Sequence, residues 1–184
     1  MYRFSLAHGA RSALGNTLFK SNVRLLSNYV KNSQIYIHDN KHDATTPYTF
    51  SLSKDPKALP IGYSKVSQNV TPETFVPNPQ FLEVAQSVIK DKVHEDFSFI
   101  MEAGMNASTF MPIYDFREIP RYARIPEMEN VFGYIQVDDS GKMIPGGYES
   151  NNLYRLCNGT SGLLKLSDFL YEEIQKECET RGKA

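Results

Sequence analysis

Val131-Phe-Gly-Tyr-Ile-Gln-Val-Asp-Asp-Ser-Gly-Lys142 is the stretch on which the fold reading turns. Val131, Gly133, Ile135 and Val137 fall on one face at a spacing of two, the pattern of a half-buried strand. Asp138-Asp-Ser-Gly141 then reads as a hairpin turn, with Gly141 free to take a positive φ. Lys142 to Tyr148 returns as the second strand. A strand that reverses at once makes an antiparallel sheet, because a parallel pair needs a long crossover.

Upstream, Thr109 to Phe116 reads as a third strand, and Pro112 should confine it to an edge or interrupt it. Pro120 and Pro126 keep 117–128 irregular. The strongest helix signal lies before it. Asn78 is a suitable N-cap, and Pro79 fills the first helical position, where its missing N–H costs nothing. Phe81, Leu82, Ala85, Val88, Ile89 and Val93 then recur at helical spacing, so a helix is expected over about 79–94. A second short helix fits 95–103, ended by Gly104. Leu164, Leu166, Phe169, Leu170, Ile174 and Cys178 predict a terminal helix over about 167–180 with Ser167 as its cap.

Tyr48, Phe50 and Leu52 alternate with polar residues as another strand, and 61–70 can supply a short extended piece. Residues 71–80, with three prolines, read as a rigid connector. Residues 27–46 are polar and are expected to form a flexible arm. Helices and strands do not alternate regularly. The expected class is therefore α+β: a small, mostly antiparallel sheet with a central and a C-terminal helix, in one domain over 47–184.

The first 38 residues hold five basic residues and no acid; the first carboxylate is Asp39. Leu6, Ala10, Ala13 and Leu14 fall near helical spacing, with Arg3, Arg11 and Lys20 among them. This is the composition of a mitochondrial transit peptide, and no apolar block suited to secretion follows the first charge. Arg24-Leu-Leu-Ser27 fits a matrix-processing pattern, which puts the cut after Leu26 and the destination in the mitochondrial matrix. The remainder has 16 basic and 21 acidic residues, a net charge of −5. That balance disfavours nucleic acid, which needs a basic face. No apolar run reaches the roughly 20 residues that span a bilayer.

No cofactor or metal motif is present. Cys157 and Cys178 form no Cys-x-x-Cys and read as small buried hydrophobes. His38, Asp39, His42 and Asp43 are of metal-ligand type, but no apolar face anchors them, so a solvated loop is the simpler account. Gly146-Gly147 lacks the further residues of a phosphate loop. Cys157 with His94 is the only formal nucleophile and base pairing, and nothing in the sequence joins them. The catalytic set is thus undefined.

Arg117, Arg121 and Arg124 are interleaved with Phe116 and Tyr122. Arginine and tyrosine are favoured at interfaces, so Arg117, Arg121, Tyr122 and Arg124 are candidate partner contacts. Asp115, Glu118, Glu127 and Glu129 lie close in sequence, and pairing within the chain accounts for the arginines more simply.

Pro47-Tyr-Thr-Phe-Ser-Leu52, Glu129-Asn-Val-Phe-Gly-Tyr-Ile-Gln-Val-Asp138 and Tyr154-Arg-Leu156 resemble sections of uncharacterised small fungal mitochondrial proteins. The resemblance implies no chemistry and transfers no functional residue. The leading expectation is a matrix accessory protein, an assembly factor or peripheral subunit of a respiratory or translational complex, with a protein partner and no catalysis of its own. The rival is a small enzyme or ligand-binding domain with a site near His94 or the 117–124 cluster, marked by a preformed pocket there. A mitochondrial RNA-binding protein is the third option.

Overall fold

The computed structural model describes residues 26–40, 44–119, 126–159 and 161–183. It is an α+β protein in which, among these residues, two antiparallel sheets and a small hairpin share one core with three helices.

The first sheet is a meander of β1 (Leu26–Tyr29), β2 (Asn32–Asp39), β3 (Tyr48–Ser51), β4 (Gly62–Ser64) and β5 (Phe75–Pro77), each paired with the next. Its first two strands overturn the flexible arm expected over 27–46. Tyr29, Ile35 and Ile37 are fully buried in the core. The polar residues between them had hidden the strand pattern, and they are polar because they bond to distant loops. Asn32 Nδ2 donates to the Leu164 carbonyl at 2.7 Å. The Gln34 amide both donates to the Leu166 carbonyl and accepts from the Leu166 N–H, at 2.9 and 3.0 Å. His38 Nε2 lies 3.0 Å from the Ser53 carbonyl.

Helix α1 (Pro79–Lys92) begins as the sequence demands, with the Asn78 side chain accepting from Gln80 N–H. Phe81, Val84, Ala85 and Ile89 form its buried face. A 3-10 turn, Val93–Glu95, leads to α2 (Phe97–Ala103), which is capped by Asp96 and ends at Gly104.

The second sheet has the order β6-β7-β8, from β6 (Phe110–Tyr114), β7 (Val131–Val137) and β8 (Met143–Ser150). β7 spans the expected residues, Gly141 has φ +78°, and the strand holding Pro112 is at the edge. The β9 (Cys157–Asn158) and β10 (Gly162–Leu163) hairpin follows, then α3 (Asp168–Arg181). α1 packs on α3 and on β8. No helix among the described residues is long and apolar enough to cross a membrane.

Candidate functional site

Arg117 is the one member of the expected contact cluster among the described residues; Arg121, Tyr122 and Arg124 lie outside them. Its side chain turns inward. The guanidinium donates to the main-chain carbonyls of Gly162 at 2.9 Å, Leu156 at 3.2 Å and Arg155. Its Nε lies 3.2 Å from Asp115 Oδ2, close enough for an ion pair although not aligned for a hydrogen bond. The two side chains are 3% and 0% exposed. The pairing within the chain that local acids suggested is therefore what Arg117 does.

Asp115 is held by donors alone. Its Oδ1 accepts from the backbone N–H of Arg117 and Lys165, and its Oδ2 from the Tyr154 hydroxyl at 2.8 Å. Burial pushes its carboxyl above the usual carboxylate range, and the Arg117 guanidinium and these donors oppose that push. Two backbone N–H donors, the Tyr154 hydroxyl and the Arg117 guanidinium all face the carboxyl, an arrangement that favours its ionised form against the cost of burial. Asn130 and Asn158 extend the cluster through a side-chain hydrogen bond of 2.9 Å. Together these groups tie β6, the start of β7 and the β9-β10 hairpin into one polar knot.

The knot stands behind one wall of an apolar groove. Residues 154–157 form that wall, and Arg117 grips the carbonyls of two of them. The Pro72–Pro79 segment and Leu82 of α1 form the other. The groove encloses about 320 Å³, at the small end of the range for ligand sites. Its polar walls are already engaged. Tyr154 donates to Asp115, while Asn78 caps α1 and donates to the Pro60 carbonyl. Among the described residues, Arg155 is the single charged residue lining it. Sequence reasoning found Arg117 but missed the groove, because its two walls are separated in the chain by α2 and the whole second sheet and joined only in the fold.

A second feature is the outer face of α2. Phe99 and Ala103 are buried, and Phe99 meets Tyr114 and Phe116 with ring centroids 5.7 Å apart. Phe97, Ile100 and Met101, at helical i, i+3 and i+4, point the other way and are 71%, 43% and 62% exposed. Met105, just past the helix, and Phe110, on the same face of β6 as Tyr114, are also exposed. The Asp138–Lys142 turn closes against this end of α2, with Gly141 beside Gly104 and Ser108 Oγ donating to Asp139.

The remaining candidates stay apart. His94 lies 3.8 Å from Glu95 Oε1, and its Nδ1 has no hydrogen-bond partner among the described residues. Cys157 Sγ hydrogen bonds weakly to the carbonyls of Val70 and Asn158, and burial pushes its thiol up to about 11. Cys178 is buried in α3 and unpaired, so no disulfide joins the two cysteines. His38 is buried in β2, while His42 and Asp43 lie outside the described residues. Asp138 caps its own turn by accepting from Ser140 and Lys142. Among the described residues no group of three or more His, Cys, Asp or Glu is placed to hold a metal ion. No family model matches the chain, and neither a curated protein nor a solved structure gives a significant match.

Proposed function

We propose that this chain is a mitochondrial matrix accessory protein, an assembly factor or peripheral subunit of a respiratory or translational complex, that docks through the outer face of α2. The observation that carries this reading is the cluster of large apolar side chains left exposed on and beside one short helix. Such surfaces are costly to leave in water, and in folded proteins they mark interaction sites. Flexible methionines next to aromatic rings let a surface mould itself to a partner. Asp138 and Asp139 at the end of the face favour a partner with an apolar centre and a basic rim. The acid-free N-terminal segment supports the matrix address, and a cut after Leu26 leaves Ser27–Tyr29 in β1.

The test is the native mass of the tagged protein in gently solubilised mitochondria, beside a Phe97→Ser/Met101→Ser variant. Co-migration of the parent with a large assembly, lost in the variant, is expected. A full-length cytosolic species would overturn the address. A monomeric parent, or a variant that still co-migrates, would overturn the docking face. The groove beside Arg117 gives the ligand-binding reading its own specific support.

A further inference from the structure

We propose that the groove between the Pro72–Pro79 segment and residues 154–157 binds an amphiphilic carboxylate, its alkyl chain along the apolar walls and its carboxylate on Arg155. This goes beyond the docking reading and rests on a different surface.

The walls favour an alkyl chain over a peptide. Asn78 and Tyr154, the uncharged polar side chains among the lining residues, both direct their hydrogen bonds into the protein. A peptide laid here would bring amide groups that the walls do not satisfy, whereas methylenes bring none. Pro72, Pro77 and Pro79 have little side-chain freedom to lose, and Phe75, Leu82 and Leu156 complete an apolar lining. The site is therefore largely preformed.

The charge favours an anion at one end. Arg155 is the sole charged residue among the described residues lining the groove. Its backbone is fixed on both sides: its N–H donates to the Glu129 carbonyl at 3.0 Å, and its carbonyl accepts from Arg117. Its side chain is 61% exposed and meets Glu129 Oε1 at 3.4 Å. That pair shows that a carboxylate can reach this guanidinium. A ligand carboxylate would engage it bidentately and displace a weak surface partner. Arg117 acts here as a positioning residue, holding the wall that carries Arg155.

The experiment is calorimetric titration of the full chain with octanoate, decanoate and dodecanoate below their micelle concentrations. Saturable binding is expected, tightening about four-fold per added methylene. Arg155→Gln should weaken decanoate about ten-fold and leave decanol unaffected. Glu129→Gln, which removes the competing anion, should tighten decanoate about two- to five-fold. Both substitutions are at exposed side chains, so the fold survives them. Leu82→Trp, which fills the groove, should abolish binding of both probes. Absence of saturable decanoate binding would overturn the proposal. So would Arg155→Gln and Glu129→Gln shifting affinity in the same direction, or not at all. Binding of an acetylated trileucine carboxylate in place of decanoate would replace the alkyl ligand with a peptide terminus. None of these results depends on the α2 face.

Discussion

Arg117→Met removes the centre of the polar knot and leaves its surroundings in place. Three main-chain carbonyls lose a charged donor, and the buried Asp115 loses its cation. A hydrogen bond to a charged group contributes about 1.5–3 kcal/mol. The bonds share one side chain and cannot simply be added. Removing one partner of a buried ion pair costs about 3–5 kcal/mol, because the other charge is left uncompensated. We therefore expect a loss of about 4 kcal/mol, a large share of the roughly 5–15 kcal/mol that holds a folded domain together. Urea unfolding followed by far-ultraviolet circular dichroism reads it as a midpoint drop of about 2 M. The chain has 11 tyrosines and no tryptophan, so tyrosine fluorescence gives a second signal.

The loss should also depend on pH. Burial already raises the Asp115 carboxyl from its ordinary value of 3.8, and without Arg117 it rises further. A carboxyl raised in the folded state destabilises only when ionised. Its penalty is absent below the unfolded value and grows as pH rises through the folded one. The difference between variant and parent should therefore be smaller near pH 4 than at pH 7. Adding Asp115→Asn, which keeps an acceptor but no charge, should restore part of the loss. A loss below about 1 kcal/mol, or one indifferent to pH and to the second substitution, would refute the reasoning.

Ser167→Ala should cost about 2–4 kcal/mol in the same unfolding assay, and Ser167→Thr much less. The Ser167 hydroxyl accepts from Leu170 N–H to cap α3 and donates to buried Asp96, whose other oxygen caps α2. Gly133→Ala should lower the melting temperature by roughly 10 °C, since its Cβ would sit 2.3 Å from the Glu149 carbonyl and 2.5 Å from the Tyr148 hydroxyl. Iodoacetamide at pH 7.5 should leave Cys157 and Cys178 unmodified in the folded chain and label both after unfolding. Their thiols are buried and pushed up to about 11 and about 12, so the reactive thiolate is scarce. Rapid labelling of the folded protein would contradict this packing.

The elements that the sequence made legible carry their own local signals. Asn78-Pro79 and Ser167 cap helices in any context, and Asp138 to Gly141 makes its turn from its own side chains. β7 was legible because Val131, Gly133, Ile135 and Val137 are all buried on one face, with Phe132 the one buried residue on the other. β2 was not, because its apolar alternation is only Ile35 and Ile37, and the opposite face carries the polar Asn32 and Gln34, whose partners lie near residue 165. The site was half legible for the same reason. Asp115 and Arg117 are neighbours, so their pairing could be anticipated; the three carbonyls that Arg117 holds are main-chain atoms with no side-chain signature. The groove depends on a contact between distant segments, and the outer face of α2 alternates with an inner face just as apolar, which blurs the helical stripe.

The bonds from Asn32 and Gln34 to residues 164 and 166 span 132 positions of the chain. They impose an order on events. A chain that emerges N-terminus first from a ribosome has β2 available long before its clasp exists. Closing so large a loop is slow, and the early strands must wait with Tyr29, Ile35 and Ile37 uncovered. During that interval the hairpin is open to a chaperone and vulnerable to pairing with a second chain. Folding can finish only after residue 166 has arrived, so the early hairpin stays unclasped while most of the chain is made.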